Sequence, residues 1–193
     1  MDLTEGTIEE KNARAKKMML WLGIISLIMS FAGWTSAIIV SSSRPDWLSD
    51  YDLPTAFYYS TALIIVSSVT MIMAKQALKR DNHKMTGIWL FLTLIFGCIF
   101  IYNQLVGFDQ IVQDGYNFTG PTSNITMSFI FLIAFVHILH VVVGLICLGV
   151  VIVNHYRRKY SSNNMLGLEL ASTFWHFIDL LWVYLFLFLY FFR

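Results

Sequence analysis

Long apolar runs separated by short polar segments dominate the chain. Five runs reach the roughly 20 residues that a helix needs to cross the hydrocarbon core of a bilayer. Backbone polar groups in lipid must be satisfied within the segment, and the runs lack the alternating pattern of barrel strands. The sequence therefore predicts an all-α, polytopic membrane helix bundle with five transmembrane helices. We expect a cytoplasmic N-terminal tail at 1–17 and a single transmembrane domain at 18–193, with spans at about 18–40, 54–74, 86–106, 127–153 and 168–192.

The composition supports a membrane protein and excludes several other classes. Hydrophobic residues make up 57% of the 193 residues and charged residues only 13%, whereas soluble domains carry about 25% charged residues. Too few polar residues remain to cover a soluble globule, which excludes a cytosolic enzyme, a nucleic-acid-binding protein and a disordered protein. Cys98 and Cys147 lie within apolar runs, so we expect packing roles for them rather than a disulfide framework.

Basic residues are concentrated in alternate connections between the apolar runs. The N-terminal segment, the second connection and the fourth connection are basic, whereas the first and third carry more acidic than basic residues. Basic connections remain on the cytoplasmic side of a membrane. The pattern therefore predicts a cytoplasmic N-terminus and a C-terminus on the outside.

Ionisable side chains in the last two runs are candidates for function, because such groups are costly inside a bilayer. The fourth run contains His137 and His140, and the fifth contains Glu169, His176 and Asp179. Helical spacing places the two histidines on one face and the other three residues along one stripe. We expect these two polar faces to meet near the midplane of the membrane, with Asp179 paired to a histidine of the fourth helix.

Several kinds of site fit these residues. A structural polar network is favoured by the residue types alone. A haem held between His140 and His176 would make the chain a bis-His b-type cytochrome subunit, and Glu169, His176 and Asp179 could form a proton relay. A metal site of His137, His140, His176 and Asp179 has no diagnostic spacing. A small transporter is a further alternative, although the broken helices of such proteins are absent.

Two motifs in these runs resemble subunit III of the haem–copper terminal oxidases. Residues 169–182 read E-L-A-S-T-F-W-H-F-I-D-L-L-W. The last helix of the family has a Glu, then four residues, and then aromatic-Trp-His-Phe-aliphatic-Asp. Its preceding helix has T-G-x-H-G-x-H-V-x-x-G, to which His137, His140, Val141 and Gly144 correspond. Both motifs occur here at the separation that the family shows.

Weaker similarity continues through the earlier runs. Ser67 and Ser68 resemble a pair of serines in the family, and residues 92–104 resemble its L-T-x-x-x-G-x-x-F-x-x-x-Q pattern. The five predicted helices are similar to the short bacterial form, which lacks the first two helices of the seven-helix version. The chain departs from the family at Leu27 and Gly107, near or at positions where the family often has a carboxylate.

The resemblance implies a non-catalytic accessory subunit of a proton-pumping oxidase in aerobic respiration. Such an enzyme reduces O₂ to water, with cytochrome c as the expected donor; a subunit III homologue of a quinol oxidase or one associated with nitric oxide reductase is the alternative. The chain itself would hold no redox cofactor or metal, and the haems and copper would lie in partner subunits. Its expected partners are subunit I in direct contact, subunit II and the small subunits, with assembly into a respiratory supercomplex left open.

The resemblance also implies a multi-pass protein of the bacterial inner (plasma) membrane that binds phospholipid. It implies that the chain supports the stability of subunit I and proton uptake into it, with the polar cluster in the last two helices contributing. Basic residues at the inner helix ends and aromatic residues of the last helix are the candidates for lipid contact, with interior packing as the alternative for the tryptophans. These candidates are Lys79, Arg157, Arg158, Trp175 and Trp182.

Overall fold

The computed structural model describes residues 7–48, 51–118, 120, 124–162 and 164–192. Within these residues the chain forms five α-helices joined by short connections, and an isolated bridge joins Ser161 to Asn164. Each helix is long and apolar enough to cross a membrane, which confirms the predicted fold class. The helices are α1 (Ile8–Ser41), α2 (Thr55–Lys79), α3 (His83–Gln113), α4 (Ile125–Tyr156) and α5 (Leu166–Phe191).

Most of the helices extend beyond the predicted spans. The 34 residues of α1 correspond to a length of about 51 Å, which exceeds the roughly 30 Å of a hydrocarbon core. This helix begins at Ile8 because Thr7 and Glu10 form a capping box that satisfies the first backbone N–H groups. The apolar pattern marks the part of a helix that lies in lipid, whereas backbone hydrogen bonding continues into the polar region.

Four of the helices form a closed ring. α2 and α4 each pack against both α3 and α5, so the order around the ring is α2, α3, α4, α5. α1 lies outside this ring, against α4 and α5. The prediction that α4 and α5 are neighbours is therefore confirmed, but α5 has an equally important neighbour in α2.

Two glycines allow Trp175 of α5 to reach the centre of the ring. A Cβ atom at Gly97 of α3 would lie 2.8 Å from Cη2 of Trp175, and one at Gly144 of α4 would lie 3.2 Å from its Cε3. Real Cβ atoms essentially never approach as closely as 2.8 Å, so glycine is needed at position 97, whereas a side chain at position 144 would require the indole ring to shift by a few tenths of an ångström.

A hydrogen bond links two connections at one end of the bundle. Asp81 follows α2 with a positive φ of 50°, and its carboxylate accepts a hydrogen bond from the Ser162 N–H at 2.9 Å. Hydrogen bonding from the Ser162 side chain, and then from its N–H group, holds the pKa of the Asp81 carboxyl group below its usual range. The α2–α3 turn is thereby joined to the α4–α5 connection. We call this end, which carries the two basic connections, the basic end.

Candidate functional site

Hydroxyl groups on α2 receive the polar side chains of α5. The two helices are antiparallel, because positions along α2 rise as their partners along α5 fall. We call this contact the α2–α5 seam. Its side-chain hydrogen bonds run from Trp175 Nε1 to Ser67 Oγ (2.8 Å), between His176 Nδ1 and Ser68 Oγ (2.6 Å), and from Trp182 Nε1 to Thr61 Oγ1 (3.0 Å).

Asp179 lies in the same seam, with only 5% of its surface exposed. The Ser68 hydroxyl interacts with its carboxyl group, although neither carboxyl oxygen has a hydrogen bond of good geometry among the described residues. Lys75 of α2 acts electrostatically on His176. Ser68, Lys75, His176 and Asp179 therefore form one group of polar side chains, which we call the seam cluster.

The predicted pairing of Asp179 with a histidine of α4 is wrong. His137 is fully buried, and neither of its ring nitrogens has a hydrogen-bond partner among the described residues. Its ring lies instead among aromatic side chains, with centroid distances of 5.1 Å to Trp182 and 5.9 Å to Phe100. The polar faces of α4 and α5 do not meet, because Trp182 fills the space where α5 approaches His137.

The other two predicted residues lie in separate environments. His140 is partly exposed, and its Nδ1 is 2.7 Å from the Val136 carbonyl oxygen of its own helix. Glu169 is in the first turn of α5, with its carboxylate 3.4 Å from Lys17 Nζ on α1. Since Glu169 lies roughly 15 Å along the helix from Asp179, it is at the end of the bundle rather than near the midplane.

These residues are arranged for hydrogen bonding rather than for the coordination of a metal ion. Within the part of the chain that the structure describes, no group of three or more His, Cys, Asp or Glu side chains is placed to hold a metal ion. His140 and His176 each have Nδ1 next to a protein oxygen. The seam cluster instead combines a carboxyl group, an imidazole, an ammonium group and a hydroxyl, all of which can bind or exchange protons.

The structure separates the five candidate lipid contacts into two classes. Trp175 and Trp182 are only 2% and 0% exposed, and their indole N–H groups are bonded within the seam. They pack the interior and are not available to a lipid, contrary to the prediction. Lys79, Arg157 and Arg158 are exposed at the basic end, where a lipid headgroup could reach them.

Sequence reasoning missed several residues around these sites. Thr61 and Lys75 of α2 were not singled out, because a hydroxyl or a terminal lysine in an apolar helix carries no motif of its own. His83 and His155 were also missed, although both border an apolar run at the basic end. Their rings are 5.6 Å apart, and His155 Nε2 is 2.9 Å from the His83 carbonyl oxygen.

Comparisons with known proteins agree with the motifs. A family model described as cytochrome c oxidase subunit III matches residues 48–193. The cytochrome c oxidase subunit 3 of Alkalihalophilus pseudofirmus is 31% identical over 129 residues, an alignment that covers 67% of this chain and 62% of that protein. The corresponding subunit of Bacillus sp. (strain PS3) is 27% identical, over 93% of this chain and 86% of its own length.

A relative from a different oxidase is similar to the same degree. The cytochrome bo(3) ubiquinol oxidase subunit 3 of Pseudomonas aeruginosa is 27% identical over 86% of this chain and 79% of its own length. The similarity thus extends to subunits of oxidases that are named for two different electron donors. The family match includes α2 to α5, the helices that form the ring, together with the α2–α5 seam.

Proposed function

The chain belongs to the cytochrome c oxidase subunit III family. On this basis we propose the electron donor of its oxidase, its contact with subunit I and its role in the complex. The family makes it an accessory subunit of a haem–copper oxidase. We propose that this oxidase uses cytochrome c as its donor and reduces O₂ to water in the inner membrane of a bacterium. Subunit I would be in direct contact with this chain and would hold haem and copper, with subunit II and small subunits completing the complex.

The seam cluster is the observation that carries the proposed contact with subunit I. His176 lies about 15 Å along α5 from Leu166, close to the middle of the helix. Its side chain is partly exposed at the surface of the bundle. Ionisable groups at this depth are costly when they face hydrocarbon and normally face protein or water. Coverage of the seam face by helices of subunit I would remove this cost.

The same cluster supports the proposed role in proton uptake. The side chains of Ser68, Lys75, His176 and Asp179 are proton-binding or hydrogen-bonding groups that interact with one another across two helices. Their position on a face that docks subunit I would bring them next to that subunit's proton-conducting groups. His137, which packs among aromatic rings, would serve stability instead.

The orientation of the chain follows from its basic connections. The α2–α3 turn carries Arg80, and the α4–α5 connection carries Arg157, Arg158 and Lys159. Basic connections favour the cytoplasmic side. We propose that the basic end and the N-terminus face the cytoplasm. Exposed cations at that end would also hold the phosphates of bound phospholipids.

Affinity purification through an N-terminal tag in mild detergent tests the proposed complex. We expect recovery of a large haem–copper subunit I, together with a subunit II whose type identifies the donor as cytochrome c or quinol. Chains beyond the oxidase would indicate a supercomplex. Recovery of this chain alone with its own haem spectrum would contradict the proposal and would favour the bis-His cytochrome alternative.

The proton-uptake role is tested on the same purified complex. Asp179→Asn removes the ionisable group while keeping the shape of the side chain, so we expect slower steady-state O₂ reduction with unchanged subunit composition. Asp109→Asn is the matched control, because Asp109 lies near the end of α3 and accepts a hydrogen bond from Gln113 outside the seam. Equal turnover of both variants and the unmodified complex would contradict a proton role for the cluster.

A further inference from the structure

A groove between α3 and α4 at the basic end has a second arrangement of charges. It has a volume of 470 Å³ and lies on the other side of the ring from the α2–α5 seam. None of the residues of the two main motifs in α4 and α5 that carry the oxidase resemblance lines it. The lining residues are His83, Lys84, Gly87, Ile88, Phe91, Leu92, His155, Tyr156 and Arg158.

The end of the groove near the membrane surface is cationic. Lys84 lies in the first turn of α3, which contains no acidic residue, although the positive end of the helix dipole disfavours a cation there. Arg158 follows α4 with a φ of 54°, in the left-handed region that normally favours glycine. Neither side chain is in an ion pair among the described residues. An anion bound near Lys84 and Arg158 would offset the repulsion between Lys84 and the helix dipole, and it would neutralise part of the positive charge of the two side chains.

Two histidines line the same groove. His155 is only 6% exposed, and Nδ1 of its ring has no hydrogen-bond partner within the described part of the chain. Nδ1 of His83 is also buried without a partner. Buried polar atoms without partners are unfavourable. The groove therefore combines two exposed cations with two imidazoles that retain hydrogen-bonding capacity.

The rest of the groove is apolar and follows one stripe of α3. Ile88, Phe91 and Leu92 succeed Lys84 at helical spacing, and Leu92 lies about 12 Å further along the helix axis. A cationic end followed by an apolar wall of this length matches a phosphate headgroup and the upper part of its acyl chains. A free anion would make no favourable contact with the apolar wall.

We propose that this groove is a binding site for an anionic phospholipid, whose headgroup phosphate contacts Lys84 and Arg158. The acyl chains then lie along Ile88, Phe91 and Leu92. The site refines the lipid binding put forward above and places it between α3 and α4, where of the five predicted lipid contacts only Arg158 takes part.

The test uses the full chain in detergent, with phosphatidylglycerol added as the probe and retained lipid counted by native mass spectrometry. Arg158→Gly removes the guanidinium and suits the left-handed backbone, so the variant should fold as well as the original. Combined with Lys84→Gln, it should lower phosphatidylglycerol retention roughly tenfold or more, given the contribution of each cation near an anionic headgroup. The matched control is Lys11→Gln with Lys16→Gln, which removes two exposed cations of α1 that do not line the groove and should change retention little.

A third variant separates a built site from general surface charge. Ile88 lines the groove and is 53% exposed, so Ile88→Trp should be accommodated and should fill the groove without changing its charge. We expect it to reduce phosphatidylglycerol retention as the double charge variant does. Equal retention by the groove variants and the control would overturn the proposal.

Two competition arms identify the ligand. Phosphatidylcholine should be retained less than phosphatidylglycerol, and millimolar inorganic phosphate should not displace the bound lipid. Displacement by inorganic phosphate would contradict the amphiphile and favour a free-anion site. Because these readouts use the chain alone, failure of the lipid site leaves recovery of the oxidase complex unaffected, and the two proposals can fail separately.

Discussion

The indole ring of Trp175 contacts all three of the other helices in the four-helix ring. It lies against Gly97 of α3 and Gly144 of α4, and it donates a hydrogen bond to Ser67 of α2. Without that hydroxyl, a buried N–H group would remain in an apolar interior, which costs more than the hydrogen bond itself contributes. The contribution of Trp175 to stability therefore depends on the Ser67 hydroxyl.

A double-mutant cycle at this pair should show that dependence. Ser67→Ala, Trp175→Phe and their combination should give a coupling free energy of roughly 0.6–1.7 kcal/mol, the range found for hydrogen bonds between membrane helices. The measurement is reversible unfolding in mixed detergent micelles. Ser30→Ala is the control, since among the described residues the Ser30 hydroxyl bonds only to the Ser26 carbonyl of its own helix. Additive effects of the two substitutions would show that the contact is not energetically coupled.

The polar residues of α4 and α5 could be identified from the sequence, but their partners could not. Helical periodicity gives the direction of a side chain around its own axis, and it does not specify which neighbouring helix lies there. Asp179 was therefore assigned to the histidines of α4, whereas it faces Ser68 of α2. At Gly107 the family often has a carboxylate; here a Cβ atom would collide with the Phe57 ring of α2, so that ring occupies the space.

At the scale of helices, close approach in the ring depends on small residues at the contacts. α3 and α4 approach the core through Gly97 and Gly144, as expected for helices that pack without help from the hydrophobic effect. The sequence predicted the five spans well, because length and hydropathy are properties of a single segment. The ring order and the outer position of α1 depend on pairwise packing, which no single segment encodes.

Gly97→Ala should destabilise the bundle. Its Cβ atom would lie 2.7 Å from Leu145 Cδ2 and 2.8 Å from Trp175 Cη2, and overpacking of this kind costs about 1–3 kcal/mol. Gly149→Ala of α4 is the matched control, because nothing lies within 4 Å of its Cβ position and alanine favours a helix. In mixed micelles, the free energy of unfolding of Gly97→Ala should be well below that of Gly149→Ala. Equal free energies of unfolding would contradict the close packing.

At the scale of the whole molecule, we propose different binding partners for two faces of the ring, the α2–α5 seam and the α3–α4 groove. The α2–α5 seam carries His176 and Asp179 near the middle of α5, which supports the proposed protein partner, whereas the α3–α4 groove carries charge only at the basic end, which supports the proposed lipid. α1 covers part of the α4 and α5 surface on the outside of the ring and is joined to α5 by Lys17 and Glu169. The proposed roles of both faces therefore depend most on which face contacts subunit I.

Leu180→Trp tests that contact most directly. Leu180 is 68% exposed and lies one turn beyond His176 on α5, while Leu105 of α3, at 54% exposed, lies on the opposite side of the ring. Both substitutions enlarge a surface side chain and should leave the fold intact. In purifications through the N-terminal tag, we expect Leu180→Trp to reduce recovery of subunit I severalfold and Leu105→Trp to leave it unchanged. Equal recovery with the two variants, or loss with Leu105→Trp alone, would contradict docking at the α2–α5 seam.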